Sequence, residues 1–226
     1  MTSQRYFVIG DIHGCNQTFR YLIETTIALQ KEDKLCLLGD YIDRGTDSKA
    51  VLDYCMLLQD QGYDICFLRG NHEQMMLDAF SNPVAEQAWL RAGGRATLKS
   101  FGVRSVREID ELYIEFLNAL EYYVVVDDYI LVHAGLNFDI KDPLKDKHAM
   151  LWSRNYEVLP HKIEGKRIIH GHTPYALKII LGQNLTREYE ISVDAGCVFD
   201  KKKEGMGYMV ALELNEGKFY HVKNMD

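Results

Sequence analysis

The chain of 226 residues is 47% hydrophobic and 26% charged, an ordinary globular balance that excludes disordered, collagen-like and coiled-coil classes and suits one domain with its own core. Its formal charge of −7 excludes an extended nucleic-acid surface, because such a surface needs clustered Lys and Arg to neutralise phosphates. Cys15, Cys36, Cys55, Cys66 and Cys197 contain no C-x-x-C pair and read as reduced, mostly buried thiols rather than a disulfide or zinc framework.

In chain order, a strand is expected over residues 5–9, then a helix from Gln17. In that helix Phe19, Leu22, Ile23, Thr26 and Ile27 fall on one face, and Asn16 is placed to cap its start. A strand over 34–38, a helix from Ser48 with Ala50, Val51, Tyr54, Cys55 and Leu58 on one side, and a strand over 64–68 complete a βαβαβ series. Such a series builds a parallel sheet covered by helices. Met75, Met76 and Leu77 read as the core side of the next helix.

Between residues 82 and 122 the strand signal gives way to a helix around Trp89-Leu90, a break at Gly93-Gly94, and an amphipathic helix. The last carries Ile109, Leu112, Tyr113, Phe116, Leu117 and Leu120, with Ser105 and Glu108 as a capping box. This stretch reads as a helical insertion forming one wall of a cleft, within a single domain over 1–226. The second half is mostly strand: 123–126, 129–132, 167–169, 191–193, 208–214 and 218–222. Asp127-Asp128 and Asn215-Glu216-Gly217 read as hairpin turns, which implies antiparallel neighbours in a second sheet. Residues 141–166 read as loop and short helix. No apolar run approaches the roughly 18 residues that span a bilayer. The first strand begins too early for a cleavable leader, so no membrane partner and a cytoplasmic location are expected.

Gly10-Asp11-Ile12-His13-Gly14, the segment from Gly39 through Asp40, Asp43 and Arg44 to Gly45, Gly70-Asn71-His72-Glu73, and Gly171-His172 each follow a strand-like run. Glycines at these exits let the backbone turn sharply, so short side chains from several strands converge. Adjacent strands lie only about 4.8 Å apart, so distance along the chain does not separate these tips. Asp11, His13, Asp40, Asn71, His133 and His172 all stand at or just past strand ends. They supply oxygen and imidazole donors for two divalent ions, with one carboxylate free to bridge. Without a cation, such a cluster of acids and imidazoles would be costly to bury.

Through GDIHG, GDYIDRG, GNHEQMM, HAG, LWSR, GHTP and VDAG the chain resembles the metal-dependent PPP phosphoprotein phosphatases, within the calcineurin-like metallophosphoesterases and nearest their bacterial and phage branch. The resemblance runs over residues 6–199. It implies an α/β fold, a four-layer α/β/β/α sandwich of two mixed sheets with a small helical insertion. It further implies two divalent metal ions, manganese first, with iron or zinc as alternatives. Asp11 and His13 would bind the first ion, Asp40 would bridge, and Asn71, His133 and His172 would hold the second. A hydroxide between the ions would attack phosphorus in line, without a phosphoenzyme. His72 would be the general acid, oriented by Asp43, while Arg44 and Arg154 would clamp the phosphate oxygens.

The implied substrate is a phosphorylated Ser or Thr in a protein or peptide, with phosphotyrosine and small phosphoesters also within reach. The alternative is hydrolysis of dinucleoside polyphosphates such as diadenosine tetraphosphate. Members with that activity lack the acid of DRG and carry GNHD, so Asp43 and Glu73 favour the phosphoprotein side. An inactive phosphopeptide-binding module would have lost a ligand or the acid, and none is lost here. His170 reads as a hydrogen-bonding neighbour rather than a ligand. Asp194 reads equally as a turn former or as a support for His172. His148, His161 and His221 read as surface residues.

Overall fold

In the computed structural model, residues 4–199 and 203–226 are described. Strands β1 (Tyr6–Ile9), β2 (Lys34–Leu37) and β3 (Asp64–Phe67) pair in parallel, with Val8 opposite Cys36 and Cys36 opposite Cys66. Their side chains alternate between two cores, as the period of a strand requires. Phe7, Ile9, Leu35 and Leu37 face helices. Val8 and Cys36, with Leu38 just beyond β2, face a second sheet, where they meet Leu131, Ile169 and Ile191.

That second sheet has the order β4 (Tyr123–Val126), β5 (Tyr129–Val132), β6 (Arg167–His170), β7 (Glu190–Ser192), with β4 antiparallel to β5 and the others parallel. Its far face, with Ile130, Val132 and Ile168, packs against Met150 of a short helix. The result is the expected four-layer sandwich of two mixed sheets between helices.

Strands β8 (Asp194–Ala195), β9 (Tyr208–Glu213) and β10 (Lys218–Lys223) correct one expectation. The β9–β10 hairpin turns at Asn215-Glu216-Gly217, but it joins the first sheet, where β9 runs antiparallel to β1. A hairpin signal says that two strands pair with each other, not which sheet receives them.

Helix α1 (Asn16–Tyr21) continues into a wider π turn over Leu22–Thr26. Asn16 does not cap it, and its Oδ1 is buried without a partner. The open N–H groups of the first turn are met instead by Asp226, whose carboxylate accepts from Gln17 N at 2.9 Å and Thr18 N at 3.1 Å. Helix α2 (Ser48–Asp60) is capped by Asp47 and buries Val51, Tyr54, Cys55 and Leu58. Helix α3 (Asn71–Ser81) leaves β3 directly and buries Met76, with Met75 and Leu77 packed beside it.

Helix α4 (Pro83–Trp89) does not end at a glycine break. It passes through a π turn over Leu90–Gly94, kinked at Gly93 (φ 139°), into α5 (Arg95–Phe101). Helix α6 (Glu111–Asn118) is capped by Asp110, whose carboxylate accepts from Leu112 N at 3.0 Å. Ser105 caps only a single 3₁₀ turn over Val106–Glu108. These helices lie on the outer face of the first sheet. Helices α7 (Lys147–Trp152) and α8 (Leu177–Leu181) follow in the second half. Among the described residues no helix is long and apolar enough to cross a membrane.

Candidate active site

The loops leaving β1, β2 and β3 meet the loops leaving β5 and β6 along one edge of the sandwich. Asp40 N–H donates to Glu73 Oε2 at 2.8 Å, and Gly70 N–H donates to the same atom at 2.9 Å. One buried carboxylate thus ties the loop after β2 to the start of α3. A Cβ on Gly39 (φ 102°) would lie 2.7 Å from the Gly70 Cα, so these loops can touch only where side chains are absent. His172 N–H donates to Asp11 Oδ1 at 2.9 Å and joins the two sheets.

Two groups of donors result. Ligand atoms of Asp40, His133 and His172 lie within 4.8 Å of one another, as do those of His13, Asp40 and His72. His133 Nδ1 is 3.0 Å from the Leu38 carbonyl, which fixes its proton there and turns the Nε2 lone pair inward. That Nε2 faces Asn71 Oδ1 at 3.0 Å, His172 Nδ1 at 3.2 Å and Asp40 Oδ1 at 3.5 Å. His13 behaves likewise: Nδ1 is 2.8 Å from the Ile42 carbonyl, while Nε2 faces Asp40 Oδ2 at 3.4 Å and Asp11 Oδ2 at 3.8 Å. Lone pairs crowded this closely repel unless a cation sits among them, so the donor set fits divalent metal ions.

Protonation follows the same logic. Burial lowers His13 well below its ordinary value, lowers His133, and brings His172 down to about 3, which leaves neutral imidazoles with free lone pairs. Burial, then Asp194 and Asp40, raise Asp11 well above the usual carboxylate range. Burial alone would raise Asp40 too, but the groups around it, His133, His72, His13 and Arg44, lower it; with His133 and His13 neutral, His72 and Arg44 carry the charge that does so.

His72 lies edge-on to His13, with ring centroids 4.8 Å apart. Its Nδ1 is 2.6 Å from Asp43 Oδ2, which leaves only Nε2 to face the cluster. Burial pulls His72 down, yet the Asp40 charge and the Asp43 hydrogen bond win and its affinity for a proton is raised. Arg44 is exposed, with its guanidinium against His13 Nε2.

Arg154 stands at the rim, its Nη1 3.5 Å from Thr173 Oγ1, beside His172. His170 stays out of the cluster, with Nδ1 2.9 Å from the Gly171 carbonyl and Nε2 3.1 Å from Glu190. Asp194 closes its own turn by accepting from Gly196 N at 2.7 Å. His148, His161 and His221 are exposed.

Two residues that sequence reasoning passed over reach the site from the insertion. Trp89 Nε1 donates to Asp43 Oδ2 at 2.9 Å and Oδ1 at 3.1 Å, and Thr97 Oγ1 donates to Oδ1 at 2.6 Å. The available signal was a tryptophan in an inserted helix: buried, its N–H needs an acceptor.

Comparison with known proteins adds four likenesses. Residues 4–199 match the family described as calcineurin-like phosphoesterase. Serine/threonine-protein phosphatase 1 of Salmonella typhimurium is 30% identical over 178 residues, covering 74% of this chain and 78% of the relative. The symmetrical bis(5'-nucleosyl)-tetraphosphatase of Nitrosospira multiformis is 29% identical over 130 residues, 58% of this chain, and the match spans only 43% of that relative. A protein serine/threonine phosphatase structure from Saccharomyces cerevisiae superposes with a TM-score of 0.67 at 14% identity, covering 99% of this chain and 81% of that one. The last is a likeness of fold.

Proposed function

The chain belongs to the calcineurin-like phosphoesterases, and on that basis we propose that it is a metal-dependent phosphomonoesterase whose substrates are proteins phosphorylated on Ser or Thr. The observation that carries this reading is the buried His72–Asp43 pair facing the donor cluster. A serine or threonine side chain leaves as an alkoxide, a poor leaving group that needs a proton as the P–O bond breaks. A nucleotide leaves as a stable phosphate anion and needs that proton far less. A buried, oriented acid is therefore of most use to a monoester of an alcohol.

Asp11 and His13 would hold one divalent cation and Asn71, His133 and His172 a second, with Asp40 between them. Once bound, the pair, manganese for this mixed oxygen and imidazole set, supplies Lewis acidity to water and to the phosphate oxygens. Arg44 and Arg154 orient the phosphate oxygens with planar guanidinium groups. His72 gives its Nε2 proton to the leaving oxygen and regains one from solvent, while Asp43 holds the ring by Nδ1. The five unpaired cysteines support a reducing, cytoplasmic setting.

The second reading, hydrolysis of dinucleoside polyphosphates, is supported by the likeness to the Nitrosospira enzyme. Turnover of a phosphoserine and phosphothreonine peptide panel beside diadenosine tetraphosphate separates the two. Hydrolysis of the peptides that stops on chelation and returns with manganese is expected. Preferential cleavage of the dinucleotide would transfer the case to the second reading, and turnover indifferent to chelation would remove both.

A further inference from the structure

We propose that Trp89 and Thr97 are positioning residues: from the helical insertion they clamp the Asp43 carboxylate so that one oxygen is held on His72 Nδ1. The proposal rests on the reading of His72 as the acid and extends it to the insertion, whose role is then to support the pair rather than to cover a cleft.

Asp43 is wholly buried and sits at φ 72°, so neither water nor an easy backbone shift can satisfy it. Its carboxylate accepts from three side chains: His72, Trp89 and Thr97. The direction of the Thr97 bond is also set. The Asp43 N–H points at Thr97 Oγ1 and Ser48 Oγ, each at 3.0 Å, so the Thr97 oxygen accepts there and sends its own proton to Oδ1. With two donors fixing the plane of the carboxylate, the oxygen that meets His72 cannot swing away.

The kink between α4 and α5 is shaped for this contact. A Cβ on Gly93 would lie 2.8 Å from Arg44 Cγ and 3.1 Å from Asp43 Cβ, and one on Gly94 would lie 2.5 Å from the Trp89 ring. The Gly93 carbonyl also accepts from Arg44 N at 3.4 Å. The glycine pair therefore lets the insertion press against the segment that carries both Asp43 and Arg44.

The test uses the manganese-loaded full chain, with phenyl phosphate, whose leaving oxygen needs a proton, beside p-nitrophenyl phosphate, whose leaving oxygen does not. Trp89→Phe and Thr97→Val should each lower kcat on phenyl phosphate by roughly 10- to 10²-fold, with KM little changed and a much smaller loss on p-nitrophenyl phosphate. Thr97→Ser, which keeps the hydroxyl, should restore the rate. In a His72→Asn background Trp89→Phe should cost nothing further, since residues acting as one unit are not additive. Equal slowing of both substrates, or an additive loss in that background, would overturn the clamp. His72→Asn with unimpaired phenyl phosphate hydrolysis would instead overturn the role of His72 itself. Thr97→Val preserves volume, so it decides the matter alone should Trp89→Phe not fold.

Discussion

At the scale of single residues, the site holds itself in conformations that residues other than glycine rarely take. His13, Asp40, Asp43, Arg44 and His172 have φ between 47° and 72°, five of the eight such residues described. Each costs on the order of 1–3 kcal/mol and persists only where neighbours overdetermine it. Those neighbours are visible: Glu73 holds the Asp40 and Tyr41 N–H groups, and the Asp40 carbonyl accepts from His13 N at 2.8 Å. Glu73 reaches both loops because its side chain is one carbon longer than Asp. For His72, replacement by Asn should lower kcat on an alkyl phosphate by roughly 10² to 10⁴ with manganese still bound. Metal analysis beside steady-state kinetics checks this, and an unchanged kcat would reject the assigned role. The side chains that gather at the strand ends were legible in the sequence because each sits in a short local motif. Trp89 and Thr97 were not, because their acceptor, Asp43, lies 46 and 54 positions away.

At the scale of elements, most strands and most of the apolar stripes followed from periodicity, but Leu112 of α6 is exposed, the short β8 was not foreseen, and helix ends depended on partners outside the local window. Asp226 serves α1 from the far end of the chain. Asp110 rather than Ser105 starts α6, because the chain makes a separate 3₁₀ turn before the helix begins. Asp110→Ala should therefore destabilise the protein by about 1 kcal/mol, read from the urea unfolding midpoint, and Ser105→Ala by less. The reverse order would restore the capping box. The glycine pair in the insertion was read as a break because glycine usually punctuates helices. Here it makes a kink, and the kink serves Asp43.

At the scale of the whole molecule, two sheets were foreseen, but not that β9 and β10 would join the first of them, since that depends on which edge is free after β1 pairs with β2. The sandwich brings Asp11, His13, Asp40 and Asn71 from the first sheet against His133 and His172 from the second, so a cation would fasten the two halves together. Ions that bind only the folded form stabilise it, by about 2.7 kcal/mol at a concentration one hundred times the dissociation constant. The pH dependence has a definite sign. Burial raises Asp11 well above its usual value and, near it, pushes Asp194 up to about 6. A cation favours the ionised forms, so protons must leave as it binds, and the rise in unfolding midpoint given by manganese should grow as pH increases through about 6. A gain that shrinks over that range would contradict this. The most direct test of the whole account is an anomalous difference map from crystals grown with manganese. It should show two peaks roughly 3.5 to 4 Å apart, one beside Asp11 and His13, the other among Asn71, His133 and His172, with Asp40 between. A map with no ion among these side chains would contradict it.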